Sequence, residues 1–316
     1  MRPAVDYSNL IDRETWAFID RVNSFYPPEA IDWPIEKNRT IYNGMSREFH
    51  AGHPAGVAAE TTALEADGRS IPVRIYHREA ADERAVILYL HGGGFVLGDL
   101  ESHDDICAEL CAGTGFTAVS IDYRLAPEHT GTAAFDDAMA GLQWVSERFG
   151  RPIVLVGESA GASVAASLSH NSRRKHWAPG GQILIYPSLG GDLTKPSMSR
   201  HAEAPLLSAK DVAFYRTIRT GGQETGSDPR FEALADSDFS DLPPTVIFTA
   251  ECDPLASEGP LYAGLIEAAG GKACSIEEKG LPHGYLRGRR MARRAGESFA
   301  RIISATAALG RGEWPY

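Results

Sequence analysis

Cysteine is scarce in this chain. Four of 316 residues (Cys107, Cys111, Cys252 and Cys274) are too few and too dispersed for a disulfide framework, and no Cys-x-x-Cys pair points to zinc or redox chemistry. Cys107 and Cys111, four apart in a predicted helix, read as small buried hydrophobes. Long apolar runs are missing too: the longest, Ala85 to Leu90, is a hexapeptide, against the roughly 18 to 20 residues that a bilayer-spanning helix needs. Positive charge is in deficit, with 31 Lys plus Arg against 42 Asp plus Glu and a net charge of −11, so no broad basic face exists to neutralise phosphates and nucleic acid is excluded as a partner. The stretch from Met1 to Ser8 has an early acid and no apolar segment leading to a cleavage site, which with the sparse cysteines predicts a cytoplasmic protein without stable membrane insertion. What is present is a hydrophobic share of 43%, ample for one large core with a smaller covering domain.

The apolar pattern divides the chain. From about Leu10 to Tyr26, Ile11, Phe18, Val22 and Phe25 recur at helical spacing, and Pro27-Pro28 should stop that helix. The next stretch, from Trp33 to Pro54, shows no clear period and reads as an irregular arm. Residues 57–64 and 71–77 flank Asp67-Gly68, a hairpin turn signal. Short β-branched and Leu runs then read as strands at 86–90, 117–121, 153–156, 183–186, 246–249 and 273–276, most of them separated by helical segments. That alternation predicts an α/β fold with a mostly parallel sheet covered on both faces. The rhythm breaks between Ser188 and Asp241, where Gly and Pro punctuate a helix near 208–219, so this stretch reads as an insertion over the core. The predicted division is an N-terminal helical arm belonging to a cap (1–50), a first core part (51–187), the cap insertion (188–241) and a second core part (242–316) ending in a helix over 289–309.

The chemistry-bearing signal lies where the strand 153–156 runs into Gly157-Glu158-Ser159-Ala160-Gly161 and then a helix former. Glycines on both sides of a serine permit a turn sharp enough to hold its hydroxyl above the sheet at a helix N-terminus. A serine hydroxyl is a weak nucleophile without a base, and the base needs an orienting acid; after such an elbow they follow in the order acid, then histidine. Of the later histidines, His170 and His176 read as surface or packing residues and His201 as a solvated cap residue, which leaves His283 in the loop after the strand 273–276. For the acid, the strand 246–249 leads to Asp253, with Glu251 and Glu258 as rivals, one close to the strand end and the other at the start of the next helix. After the strand 86–90 come His91-Gly92-Gly93-Gly94-Phe95, whose glycines bring backbone N–H groups close to a substrate; Gly93, Gly94 and Ala160 are the expected oxyanion donors. No Gly-Lys-Ser/Thr follows, so this is not a phosphate loop, and Gly113-Thr-Gly115 precedes a strand, against a dinucleotide fingerprint. No cofactor or metal is expected.

Taken together, His91-Gly-Gly-Gly-Phe95, Asp122-Tyr-Arg-Leu-Ala-Pro-Glu-His129, Gly157-Glu-Ser-Ala-Gly161, Asp253-Pro-Leu255 and His283-Gly284 resemble the hormone-sensitive lipase family of α/β-hydrolases. The resemblance implies an α/β-hydrolase fold with an eight-stranded, mostly parallel sheet, a helical cap, and esterase activity on short- to medium-chain acyl esters; it also allows a homodimer. It implies the same triad and oxyanion residues that the spacing selects. Glu158 stands where that family most often has Asp, and Arg124 reads as a buried structural residue held by carboxylates or backbone.

The expected function is a cofactor-free serine carboxylesterase acting on a small-molecule ester. Phe95, Tyr186, Leu206, Leu207, Phe214 and Tyr215, with Trp16 or Trp33 from the arm, are candidates for its apolar pocket. A non-catalytic receptor on the same fold would lack the histidine that is present here, an amidase would use the same triad, and a true lipase would need a long apolar lid segment that the chain lacks.

Overall fold

A computed structural model describes residues 5–26, 33–190, 194–223 and 228–316. Eight strands, β1 (Val57–Ala66), β2 (Arg69–Arg78), β3 (Val86–Leu90), β4 (Thr117–Ile121), β5 (Ile153–Glu158), β6 (Gly181–Ile185), β7 (Thr245–Cys252) and β8 (Ala273–Pro282), form one sheet in the order β1-β2-β4-β3-β5-β6-β7-β8. β2 pairs antiparallel with β1 and with β4, and every other pairing is parallel. The β1–β2 turn has φ +49° at Asp67 and +74° at Gly68, the positive pair that a tight hairpin of matching twist requires.

The central strands read as unbroken apolar runs because both faces are covered. Val86, Leu88, Leu90, Leu155 and Ile247 face a layer with α4 (Ala133–Phe149), α5 (Ala160–Ser172) and α8 (Glu258–Ala268), while Ile87, Tyr89, Val154, Val156 and Phe248 face α3 (Asp104–Thr114) and α9 (Arg293–Gly310). Cys107 and Cys111 are buried in α3, as their spacing suggested.

Over the C-terminal ends of the parallel strands lie α1 (Arg13–Asn23), α6 (Pro196–Arg200) and α7 (Ala209–Thr220), joined by an element that the sequence did not announce: α2 (Ile35–Phe49) occupies the stretch expected to be irregular. Its stripe, Ile35, Tyr42, Met45 and Phe49, is narrow and sits among polar residues, and it meets apolar partners only in the folded chain, Ile35 and Tyr42 beside Val96 and Leu97, Phe49 beside Phe18. α1 starts later than expected, at its Asp12 cap, whose carboxylate accepts from Thr15 N at 2.8 Å, and it ends at Asn23; Pro27-Pro28 lie outside the described residues. α9 begins at Arg293 rather than 289, because Tyr285–Gly288 form a 3-10 turn.

Two further expectations need correction. His201 is not solvated: it is 3% exposed, with Nδ1 3.1 Å from the Tyr7 hydroxyl, because the segment before α1 folds back over it. Arg124 is only partly buried, its guanidinium paired with Asp137 at 2.7 Å. His170 does pack, between Asp236 at 2.8 Å and the Tyr262 hydroxyl at 2.9 Å. Away from the strand ends that hold Ser159, His50 and His53 converge on one Asp104 oxygen at 2.9 and 2.5 Å, while Arg74 and Tyr76 each reach the other at 2.8 Å, a polar knot tying the end of α2 to β2 and α3.

Candidate active site

β5 ends at Glu158 and Ser159 begins the turn into α5 with φ +51° and ψ −119°, a conformation that non-glycine residues rarely adopt. The flanking glycines are obligatory by contact: a Cβ on Gly157 would lie 2.5 Å from Gly161 O, and one on Gly161 would lie 2.0 Å from Leu90 O. Ser159 N donates to Ile185 O at 2.9 Å, which pins the elbow to β6.

The register of the last two strands brings the other two groups together. Cys252 pairs with Pro282 across β7 and β8, so the next residue of each strand, Asp253 and His283, emerges beside its counterpart. β8 runs to Pro282, well beyond the expected 273–276, and this extension carries the histidine to the site. His283 Nδ1 lies 2.7 Å from Asp253 Oδ2, and His283 Nε2 lies 2.8 Å from Ser159 Oγ. The neutral tautomer consistent with both contacts carries its proton on Nδ1, donates to the carboxylate and accepts from the serine hydroxyl. Asp253 is 1% exposed and its Oδ1 accepts from Leu255 N at 2.8 Å, so the carboxylate is fixed at both oxygens.

The two rival acids are engaged elsewhere. Glu251 accepts from Gly280 N at 2.8 Å, and Glu258 accepts from Leu189 N at 2.5 Å and Gly190 N at 3.2 Å while Lys195 lies 3.2 Å away. Burial raises Glu258 to about 7 against the pull of Lys195 and those amides.

Opposite the histidine, the loop after β3 folds back on itself: Val96 N and Leu97 N donate to Gly93 O at 3.1 and 2.8 Å, with φ +123° at Gly93 and +63° at Gly94. A Cβ on Gly93 would fall 2.1 Å from Leu97 O, so only glycine fits there. The N–H groups of Gly93 and Gly94 have no acceptor among the described residues, and that of Ala160 is at the first turn of α5, where helices leave donors unsatisfied. Three donors next to an activated hydroxyl suit a tetrahedral oxyanion.

Behind this loop lies a buried polar assembly that motif reasoning did not anticipate. Glu158 is buried, with His103 Nε2 2.5 Å from one carboxylate oxygen and the Tyr186 hydroxyl donating to the other. Burial pushes the Glu158 carboxyl up, but His103, Tyr186 and Arg287 outweigh it and hold the group at about 2. Ser102 Oγ lies 2.8 Å from His103 Nδ1, and the His91 ring stacks on Tyr123 with centroids 4.3 Å apart. Burial beside His103 drives His91 down to about 4, so it stays neutral. A Cβ on Gly92 would strike Glu158 Oε1 at 2.5 Å, which ties the glycine loop to this carboxylate. The longer Glu thus finds partners in His103 and Tyr186, residues far away in sequence with no motif linking them to it.

The expected pocket residues separate. Phe95, Leu207 and Tyr215 line one cleft with Ser159, and Tyr186, Leu206, Leu207 and Tyr215 line a second that also holds Ser159 and His283. Phe214, 41% exposed, and Trp33 instead line an outer hollow that does not reach the serine, and Trp16, on α1, packs against the cluster that includes Ile11 and Cys252. Arg219, which lines the first cleft, was absent from the sequence reading, since nothing in a lone arginine on a polar helix marks it.

A family model described as alpha/beta hydrolase fold matches residues 87–287. Among curated proteins, Esterase LipI of Mycobacterium tuberculosis (strain ATCC 25618 / H37Rv) is 38% identical over 271 residues, covering 81% of this chain and 83% of that protein. Ethyl acetate hydrolase of Pseudomonas putida is 34% identical over 251 residues, covering 76% and 79% respectively. Among solved structures, the hyperthermophilic esterase from Pyrobaculum calidifontis superposes with a TM-score of 0.88 over 96% of this chain and 99% of that one, at 27% identity. The matched region runs from β3 past the histidine that follows β8, so the likeness takes in the glycine loop, the elbow and both partner residues, and the chain belongs to the hormone-sensitive lipase family of α/β-hydrolases.

Proposed function

We propose that the protein is a serine carboxylesterase that hydrolyses short- to medium-chain acyl esters, with Ser159 as nucleophile, His283 as base and Asp253 as the acid that orients it. The observation that carries this reading is the unbroken contact chain from Ser159 Oγ through His283 to Asp253, at 2.8 and 2.7 Å. The ester-hydrolysing activity itself rests also on relatives named esterase and hydrolase over most of their length.

In this reading the ester carbonyl enters with its oxygen toward the amides of Gly93, Gly94 and Ala160. His283 Nε2 takes the serine proton as Oγ attacks, Asp253 stabilises the imidazolium, and the negative charge on the tetrahedral oxygen meets the three donors. The imidazolium then protonates the leaving alkoxide and the alcohol departs, leaving an acyl group on Ser159. A water molecule, deprotonated by the same histidine, attacks the acyl carbonyl; collapse of the second intermediate returns the proton to Oγ and releases the acid. Residues 1–50 and 188–241 act as the cap, and the other two segments as the catalytic core. Their apolar contributions over the serine, Leu206, Leu207 and Tyr215, set the length of chain that fits.

The test is a hydrolysis profile on p-nitrophenyl esters from acetyl to palmitoyl, with Ser159→Ala alongside. A maximum at short or medium chains that vanishes in the variant is the expected result. Turnover that persists in Ser159→Ala, or none on any chain, would sink the reading.

A further inference from the structure

We propose that the cleft beside Ser159 takes an ester bearing a carboxylate, and that Arg219 receives that carboxylate. The proposal rests on the esterase reading and names the substrate class of the same site. Arg219 sits in the last turn of α7 and is 8% exposed. Buried guanidinium groups are ordinarily matched by carboxylates, as Arg289, the other buried arginine among the described residues, is by Asp105 at 2.5 Å and Glu109 at 2.7 Å. Arg219 has no such partner among the described residues. Its Nη1 donates to Phe231 O at 2.8 Å and its Nη2 to Arg230 O at 3.4 Å, both neutral carbonyls, and its Nε is buried with no acceptor.

The carboxylates that share the cleft are already used. Glu232 pairs with Arg216 at 2.8 Å, and Glu258 is held by Lys195 at 3.2 Å and by two backbone amides. Among the described residues the cleft therefore carries one guanidinium that makes no salt bridge, with Glu232 acting on it through charge alone, and it extends to Ser159. Burial, which nothing fully offsets, lowers the Arg219 guanidinium to about 10, so it remains charged at neutral pH. Its Cζ lies 3.8 Å from the centre of the Phe95 ring, and Phe95 directly follows Gly94 of the proposed oxyanion hole. A substrate whose carbonyl oxygen occupies the Gly93 and Gly94 amides thus presents a substituent to the guanidinium, where a carboxylate gains a charge-assisted hydrogen bond that a methyl group cannot.

The test compares matched ester pairs, each rate corrected with Ser159→Ala. With the charge on the acyl side, the p-nitrophenyl monoester of glutarate is set against p-nitrophenyl pentanoate; with the charge on the alcohol side, O-acetyl lactate is set against its amide. In at least one pair the anionic ester is expected to have a kcat/KM at least tenfold higher, carried by KM. That ratio should fall at least tenfold in Arg219→Met and recover in part in Arg219→Lys. Neutral esters preferred in both pairs, with the ratio unmoved by Arg219→Met, would overturn the proposal and leave Arg219 as a brace for Phe95 and the turn at 230–231. If Arg219→Met does not fold, inhibition decides: glutarate should compete with a neutral ester in the wild type more strongly than glutaramide, and equal inhibition overturns the proposal. Absence of Ser159-dependent turnover on every ester sinks the esterase reading instead; Arg219 is then judged by whether glutarate raises the melting temperature of the wild type.

Discussion

Helices α5 and α7 line the same cleft, and they are held in opposite ways. α5 has twelve of its 13 residues buried and no side-chain cap; its N-cap position is the strained Ser159 itself. α7 buries only Arg219 and carries its own start signal, a capping box in which Ser208 and Asp211 bond reciprocally at 2.8 and 3.2 Å. α5 is thus fixed by the sheet beneath it, and with it Ser159, the proposed nucleophile, because moving it would open a packed core. α7 is held by that capping box and by a few contacts of Val212, Tyr215, Ile218 and Arg219, with its outer face left exposed. In the proposed reading the first helix carries the chemistry and the second contributes to the choice of substrate, which fits the placement of Tyr215 and Arg219 on α7.

The largest effect expected at the rigid side is that of Ser159→Ala, a loss on the order of 10^6-fold in kcat by analogy with other serine hydrolase triads, read in steady-state assays with the melting temperature unchanged or raised. A fall in melting temperature instead would show that the strained serine stabilises the elbow, against the argument from its φ. Next comes Gly93→Ala, whose Cβ has no room beside Leu97 O; displacement of the oxyanion loop should lower kcat by about 10^2- to 10^3-fold. Normal kcat in this variant would remove Gly93 from the proposed hole.

Glu158 sharpens the comparison through pH. Its folded-state value of about 2 lies below the ordinary 4.5, so its charged form stabilises the fold fully above about pH 4.5, by on the order of 3 kcal/mol, and that contribution fades as pH falls toward 2. Chemical denaturation of wild type and Glu158→Gln at pH 5 and pH 3 should show the gap between them narrowing at the lower pH. A gap independent of pH would mean that the carboxyl is already neutral in the folded protein. The smallest effect belongs to α7: Ser208→Ala should cost about 1 kcal/mol of helix stability and leave kcat on a short ester within a few-fold. Amide hydrogen exchange would place that loss in α7, and slowed turnover on acetyl esters would show that the two helices are not independent.

The elbow and the glycine loop were legible because each imposes a local residue requirement, glycine where a Cβ would strike backbone at 2.0 to 2.5 Å, and His283 because chain order left it as the one histidine after Asp253. All eight strands were legible from apolar runs and alternation, with ends misplaced by a few residues where tertiary pairing extended them, as in β8. α2 and His201 were misread for one reason: a half-polar helix and a lone histidine acquire their burial from partners distant in sequence, Val96 and Leu97 for the one and Tyr7 for the other.

By itself, then, the sequence determined the α/β architecture and singled out Ser159 and the glycine loop of the proposed site, since hydrophobic period and backbone sterics act over a few neighbours. Only the tertiary structure decided which carboxylates were free to serve and which were not. Asp253 reaches His283 through the Cys252–Pro282 register, while Glu251 and Glu258 are consumed by amides and lysines. It also decided that Arg219 is buried with carbonyls as its hydrogen-bond acceptors and no salt bridge among the described residues, because an ion's environment is set by every chain segment that packs around it and leaves no trace in its own neighbourhood of the sequence.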